Sequence, residues 1–324
     1  NFSNKEGFNQ NTITAINQDR YGFIWFGTPN GLFKHDGYEF KAFTTQFKGN
    51  GHLISNHITT LFNDKDGLLW IGTDEGLNVY IPWLEKFLSV PVAMNLKISH
   101  IARGPNGQIW FSGKDKLYSC KLLSAESGEF AVSSNVLKSF SKTISVNCFC
   151  FKDHKSVLLA TPNGLKKVDF KMNPSTHFPV FKTLTDFPVF KNSYITKVLN
   201  VNNVFWVGTT KGILKASFED DRAYLIAPTN LNDGASPILT HYEVTTLVQD
   251  RVGVIWIGTK ENGIYKYNQK EDSYTHYFYD PKNKVGLSSN HINAIFRDEF
   301  DVVWMGTAQG GINKLDYTQK PFFT

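Results

Sequence analysis

The chain has 324 residues, 41% hydrophobic, 15% aromatic and 19% charged, with 34 basic against 29 acidic side chains for a net charge of +5. That length can bury a large core in one big domain or two medium ones, and no window approaches about 18 consecutive apolar residues, which excludes a helical membrane span. Basic residues cluster no further than the dipeptide Lys166-Lys167, so the basic stripe needed to track phosphates is missing and direct nucleic-acid binding is not expected.

The 27 Phe, 13 Tyr, 7 Trp and 25 Gly lean towards β structure with many tight turns. The opening NFSNKEGFNQ has no charged segment followed by an apolar one, so any secretion signal is expected to have been removed already. Cys120, Cys148 and Cys150 cannot make a disulfide framework and read as buried free thiols, the last two on one face of a strand.

In chain order, one pattern returns. Its first copy runs Asp19, Gly22, Trp25, Gly27-Thr28, Gly31-Leu32, or D-x-x-G-x-x-W-x-G-T-x-x-G-L. The second has Asp64, Gly67, Trp70, Gly72-Thr73 and Gly76-Leu77. The third keeps Gly107 and Trp110 but has Ser112-Gly113 for Gly-Thr and Lys116 for the closing glycine. The fourth puts Leu158 in place of Trp and Ala160 in place of Gly, before Thr161 and Gly164-Leu165. The fifth has Asn200 for Asp, then Trp206, Gly208-Thr209 and Gly212-Ile213. The sixth (Asp250, Gly253, Trp256, Gly258-Thr259, Gly263-Ile264) and seventh (Asp298, Trp304, Gly306-Thr307, Gly311-Ile312) carry one extra residue before the closing glycine.

The anchors Trp25, Trp70, Trp110, Leu158, Trp206, Trp256 and Trp304 are separated by 45, 40, 48, 48, 50 and 48 residues. Self-similarity at this period signals a propeller or solenoid. Within the first copy, Ile13–Ile16, Phe23–Phe26, Leu32–Lys34 and Tyr38–Phe40 are short apolar runs separated by Asp/Gly turns, which reads as four antiparallel strands. The expected fold is all-β: one seven-bladed propeller of four-stranded blades over residues 1–324, with the anchor Trp or Leu packed between neighbouring blades. The motif aspartates are expected to cap their own hairpins, and the glycines to serve turns or close approaches. The innermost strands have apolar residues three apart, as in Ile58/Leu61 and Ile195/Val198, which fits either a bulge or a strand covered on both faces.

These repeats, with the lead-in segments Leu53–Ile58 and Gly286–Ile292, resemble the two-component regulator propeller repeat over essentially the whole chain. The resemblance implies a periplasmic sensor region of a Bacteroides-type hybrid two-component system. Such receptors carry about two propellers, an immunoglobulin-like domain, a membrane helix, a histidine kinase, a receiver and a DNA-binding domain. This chain would be one of those propellers, with the adjacent receptor domains as partners and a homodimer in the full-length protein. The sialidase Asp box has a shorter Asp-to-Gly interval than Asp19 to Gly22, and the Trp-Asp of WD propellers never occurs.

Catalytic signatures are missing: there is no G-x-S-x-G, H-E-x-x-H or C-x-x-C, and no catalytic, metal or cofactor site is expected. One candidate ring emerges where each chain segment enters its innermost strand. It reads Thr12, His57, His100, Ser145, Tyr194, Glu243 and His291, preceded by Asn11, Asn56, Ser99, Ile144, Ser193, Tyr242 and Asn290. Mixed hydroxyl, amide and aromatic groups suit a sugar, so Asn56, His57, His100, Tyr194, Tyr242, Glu243, Asn290 and His291 are the candidate ligand-binding residues. Ser-Asn-His could equally be a turn before a strand. The ligand expected by resemblance is an oligosaccharide from polysaccharide breakdown, and the mild positive charge would suit an acidic one. A propeller lyase or hydrolase, and a structural propeller without ligand contact, are the alternatives.

Overall fold

The computed structural model describes residues 8–105, 107–113, 116–124, 130–136, 145–175, 179–219, 222–226, 241–282 and 286–316. Blade one comprises β1 (Ala15–Gln18), β2 (Ile24–Thr28), β3 (Gly31–His35) and β4 (Phe40–Phe43), and blade two β5 (Ile58–Asn63), β6 (Leu69–Thr73), β7 (Leu77–Ile81) and β8 (Lys86–Ser89). Blade three holds β9 (Ile98–Arg103), β10 (Ile109–Gly113), β11 (Lys116–Ser124) and β12 (Phe130–Val136), and blade four β13 (Cys148–Phe151), β14 (Ser156–Thr161), β15 (Gly164–Met172) and β16 (Pro179–Asp186). Blade five has β17 (Ile195–Val201), β18 (Val204–Thr209), β19 (Gly212–Glu219) and β20 (Arg222–Ile226), and blade six β21 (Val244–Gln249), β22 (Ile255–Thr259), β23 (Ile264–Asn268) and β24 (Ser273–Tyr277). Blade seven shows β25 (Ile292–Arg297), β26 (Val303–Thr307) and β27 (Ile312–Leu315), three strands among the described residues. Among the described residues every pairing between strands joins antiparallel sequence neighbours, as expected of a propeller.

The motif's chemistry explains the hairpin in the four blades that keep both Asp and Trp. Asp298 Oδ1 accepts the backbone N–H groups of Phe300 and Val302, both at 2.9 Å, while Oδ2 accepts the indole Nε1–H of Trp304 at 2.8 Å. Asp19, Asp64 and Asp250 repeat the arrangement, with indole distances of 2.8, 2.7 and 2.9 Å. The aspartate therefore caps its turn and also fixes the tryptophan rotamer. In blade five Asn200 accepts only the Asn203 N–H, at 3.0 Å.

The anchor side chains fill the blade interfaces. Trp25 packs with Leu69, Ile71 and Tyr80 of blade two, and Leu158 with Val198 and Val207 of blade five. Trp304 closes the ring against Phe26 of blade one, with ring centroids 5.7 Å apart. The glycine two residues after the anchor has no positive φ in any blade. It is small because a Cβ on Gly306 would lie 2.6 Å from Ile13 Cγ2, and one on Gly72 2.9 Å from Ile98 Cγ2, so the next blade could not seat its first innermost residue. This close approach lies between blades, not at a turn.

A bulge accounts for the three-residue spacing. Ile58 faces Thr73 and Thr60 faces Gly72, which leaves Thr59 as an extra residue, and β9, β17, β21 and β25 shift register at the equivalent place. The extra residue is polar in all seven blades (Thr14, Thr59, Ser99, Asn147, Thr196, Thr245 and Asn293). Its side chain reaches the next blade. Thr14 and Thr59 donate at 2.6 Å to the carbonyls of Ile58 and Ile98, and Asn147 at 2.8 Å to that of Ile195. Thr245 donates to Ile292, and Asn293 to Ile13 at 3.0 Å, which joins blade seven to blade one. Among the described residues no such bond leaves Ser99 or Thr196, and Thr196 Oγ1 is buried without a partner.

Candidate functional site

The strands converge on a central channel, and the chain enters it from one face. On that face the carbonyl of each entry residue accepts the backbone N–H that follows the motif threonine: Asp74 to His57 at 3.2 Å, Thr210 to Tyr194 at 3.2 Å, Lys260 to Glu243 at 3.0 Å and Ala308 to His291 at 3.0 Å. This backbone ladder ties four of the candidate residues to one rim.

Their side chains have different duties. Asn56 Oδ1 accepts the Thr45 N–H at 2.8 Å and Asn290 Oδ1 the Tyr279 N–H at 2.7 Å, so both amides hold the connection that leads into their own blade. For these two the turn explanation holds. His57 is exposed, with Nδ1 3.4 Å from Asp74 Oδ2, whose other oxygen accepts the Ser55 hydroxyl at 2.6 Å. Glu243 pairs with Lys260 at 3.1 Å. The His291 imidazole is shifted below its ordinary value, first by burial and then by the Lys260 charge. Tyr194 is 45% exposed and offers a ring face at the rim. Tyr242 is half-buried near Tyr265, whose phenol is pushed up to about 12 by burial and then by Tyr242. Of the 228–243 connection, residues 228–240 lie outside the described residues, as does Ile144.

One expected rim residue is elsewhere. Ile98, not Ile101, is the first buried residue of β9: it faces Gly113, with His100 opposite Ser112. Lys97 therefore takes the rim position in blade three, Ser99 is the bulge residue, and His100 belongs one layer deeper, inside the channel. His100 mimics the rim position three residues from the true one because the bulge spacing makes both Ile98 and Ile101 apolar. The signal that corrects it is present in the sequence, since Ile98 precedes Trp110 by the same interval as Ile58 precedes Trp70. The three candidate histidines are thus dispersed, and among the described residues no three His, Cys, Asp or Glu side chains group as metal ligands would.

The channel itself encloses about 530 Å³. Its lining includes Thr60, His100, Cys148, Lys197 and Thr246, which occupy the position after the bulge residue in blades two to six. Among the described residues no aspartate or glutamate lines it. The layer holds two groups able to carry positive charge, a thiol and several hydroxyls, and is suited to anionic or hydroxyl-rich ligands. The sequence reading has no role for Lys197 and takes Cys148 only as a buried thiol, because only the bulge register marks them as channel-facing.

Comparison with known proteins agrees with the repeat pattern. The two-component regulator propeller family matches residues 7–30, 52–75, 238–261 and 286–309. No curated protein matches the chain. Among solved structures, the chain is similar to an extracellular domain assigned to a hybrid two-component system of B. thetaiotaomicron, at 20% identity and TM-score 0.76, covering 97% of this chain and 41% of that one. A second such domain from the same organism, assigned to a one-component system, has 21% identity and TM-score 0.69, covering 97% of this chain and 39% of that one. The chain thus spans about two fifths of these extracellular domains. Streptogramin B lyase shares the ring at 13% identity and TM-score 0.64, covering 95% of this chain and 94% of that one. No helix among the described residues is long and apolar enough to cross a membrane.

Proposed function

From a seven-bladed ring that carries two-component regulator propeller repeats, we propose that this chain is a ligand-sensing propeller of a hybrid two-component receptor. It acts on the periplasmic side of the membrane and binds an oligosaccharide released from a polysaccharide, helping to set the signalling state that controls polysaccharide-utilisation genes. The observation that carries the reading is the family match in four separate blades, which is specific to regulator propellers where the fold alone is not. The rim supports it with the Tyr194 face, the His57 and His291 imidazoles and the Glu243–Lys260 pair above a channel of about 530 Å³. An aromatic plate with flanking polar groups matches the two faces of a pyranose. The channel below, with Lys197 and His100 and no carboxylate in its lining, favours a glycan bearing acidic groups. Binding changes signalling only where ligand contacts differ between two states, so adjacent receptor domains in a homodimer would complete the site.

Titration calorimetry of this chain against neutral and acidic oligosaccharides tests the reading. Tyr194→Ala or His291→Ala should weaken the best ligand at least tenfold, or about 1.4 kcal/mol, without lowering the melting temperature. Failure of every oligosaccharide to bind, or unchanged affinity in a Tyr194→Ala, His291→Ala double variant, would refute a rim site and leave a structural propeller. The lyase alternative would be favoured by turnover of a glycan that Glu243→Ala abolishes.

A further inference from the structure

The innermost layer brings three reactive groups together from three consecutive blades: His100 on β9, Cys148 on β13 and Lys197 on β17 share one register position and line the same cavity. His100 lines the cavity beside Cys148, one blade away, and its ring stands edge-on to Phe149 at 4.8 Å. Cys148 Sγ also lies 3.8 Å from the Phe149 carbonyl and 4.0 Å from that of Val198, so the next blade helps fix its position. We propose that Cys148 is a nucleophilic modification site at the centre of the channel, alkylated by soft carbon electrophiles small enough to enter, with His100 and Lys197 as the groups that activate it.

The electrostatics agree with the geometry. Burial opposes ionisation of Cys148, but the neighbouring His100 and Lys197 outweigh it and bring the thiol down to about 6. Among the described residues the one other titratable group in the cavity lining is Cys150, two residues along the same strand, and no carboxylate in that lining competes for either cation. Burial, followed by the Cys148 charge, pushes Cys150 up to about 12. Burial also raises Cys120, which lies on β11 away from the channel. Three thiols of one chain thus differ in reactivity because of what surrounds them, and the thiolate is the reacting form. With an α,β-unsaturated carbonyl compound, a bond forms between Sγ and the β-carbon while the double-bond electron pair moves towards the carbonyl. The α-carbon then takes a proton from solvent, so no oxidant or leaving group is needed. This reaction is independent of whether a glycan binds at the rim.

The test is timed alkylation of the folded chain with iodoacetamide across pH 5 to 9, read by peptide mass spectrometry. Cys148 should be labelled ahead of Cys120 and Cys150, with a midpoint near that of the activated thiol. Lys197→Met and His100→Gln should move the midpoint up towards the ~8.5 of an ordinary thiol. They should also slow labelling at pH 6.5 about five-fold, because the lost thiolate fraction is partly offset by greater intrinsic nucleophilicity. A second readout, the ultraviolet thiolate absorbance of the unmodified protein, should titrate at the same midpoint and vanish in Cys148→Ser. Cys148 remaining unlabelled until the chain is denatured, or titrating like an ordinary thiol, would overturn the proposal.

Discussion

Removing one motif carboxylate gives a quantitative check on the account of the repeat. Asp298→Ala strands two buried donors, the N–H of Val302 and the indole of Trp304, and frees the more exposed N–H of Phe300, all now bonded at 2.8–2.9 Å. A stranded buried donor costs about 1–3 kcal/mol, so the two together cost roughly 2–6 kcal/mol. An unfolding entropy of about 2.1 cal/mol/K per residue makes 1 kcal/mol worth roughly 1.5 °C in a chain of 324 residues, and the melting temperature should fall by about 3–9 °C in a calorimetric scan. Asp298→Asn should also destabilise, because its amide would place an N–H against the indole N–H. In a Trp304→Phe background that conflict disappears, so the cycle of Asp298→Asn and Trp304→Phe should show about 1–2 kcal/mol of coupling. Strict additivity, or a melting temperature unmoved in Asp298→Ala, would refute the idea that the aspartate holds both turn and tryptophan.

Other perturbations test neighbouring features. Gly306→Val adds side-chain atoms where even a Cβ would be 2.6 Å from Ile13 Cγ2, and should cost about 1–3 kcal/mol by overpacking the seam between blades seven and one, measured by thermal melting. Thr59→Val breaks the 2.6 Å bond to Ile98 and should cost about 1 kcal/mol, whereas Thr196→Val removes a buried hydroxyl without a partner and should be neutral or stabilising in the same assay. Because the His291 imidazole is shifted down, the unfolded chain takes up its proton at higher pH than the folded one. This residue's contribution to stability is therefore present above the ordinary histidine range and declines as the pH falls through it. NMR titration should find His291 below that range and Lys260→Met should raise it; a midpoint unmoved by Lys260→Met would discard the charge explanation.

The ring was legible because its determinants are local and repeated. Asp, Gly, Trp and Gly-Thr each act within one hairpin or on its immediate neighbour, so seven copies could be recognised without knowing how they assemble. What escaped were features set by register. The bulge could not be separated from a two-sided strand by apolar spacing alone, and in blade three that ambiguity moved His100 from the channel to the rim. Lys197 and Cys148 were illegible as partners because they lie in different blades and meet only when the ring closes. Asn56 and Asn290 fitted a ligand site and a loop brace equally well, and only their bonds to Thr45 and Tyr279 assign them the second duty.

The bulge side chains that cross from blade to blade act like pins in a hoop, and two joints have no pin, those after Ser99 and Thr196. Five blades are consequently pinned into a single arc, while blades four and five form a separate pinned pair. A pull on that pair is expected to tilt it as a panel instead of widening the whole mouth, and amide exchange should be faster along β13 and β17 than along β1 and β25. Tyr194 rides on the panel and His291 on the fixed arc, so a molecule gripping both would work across a joint, converting its grip into an angle between two parts of one ring.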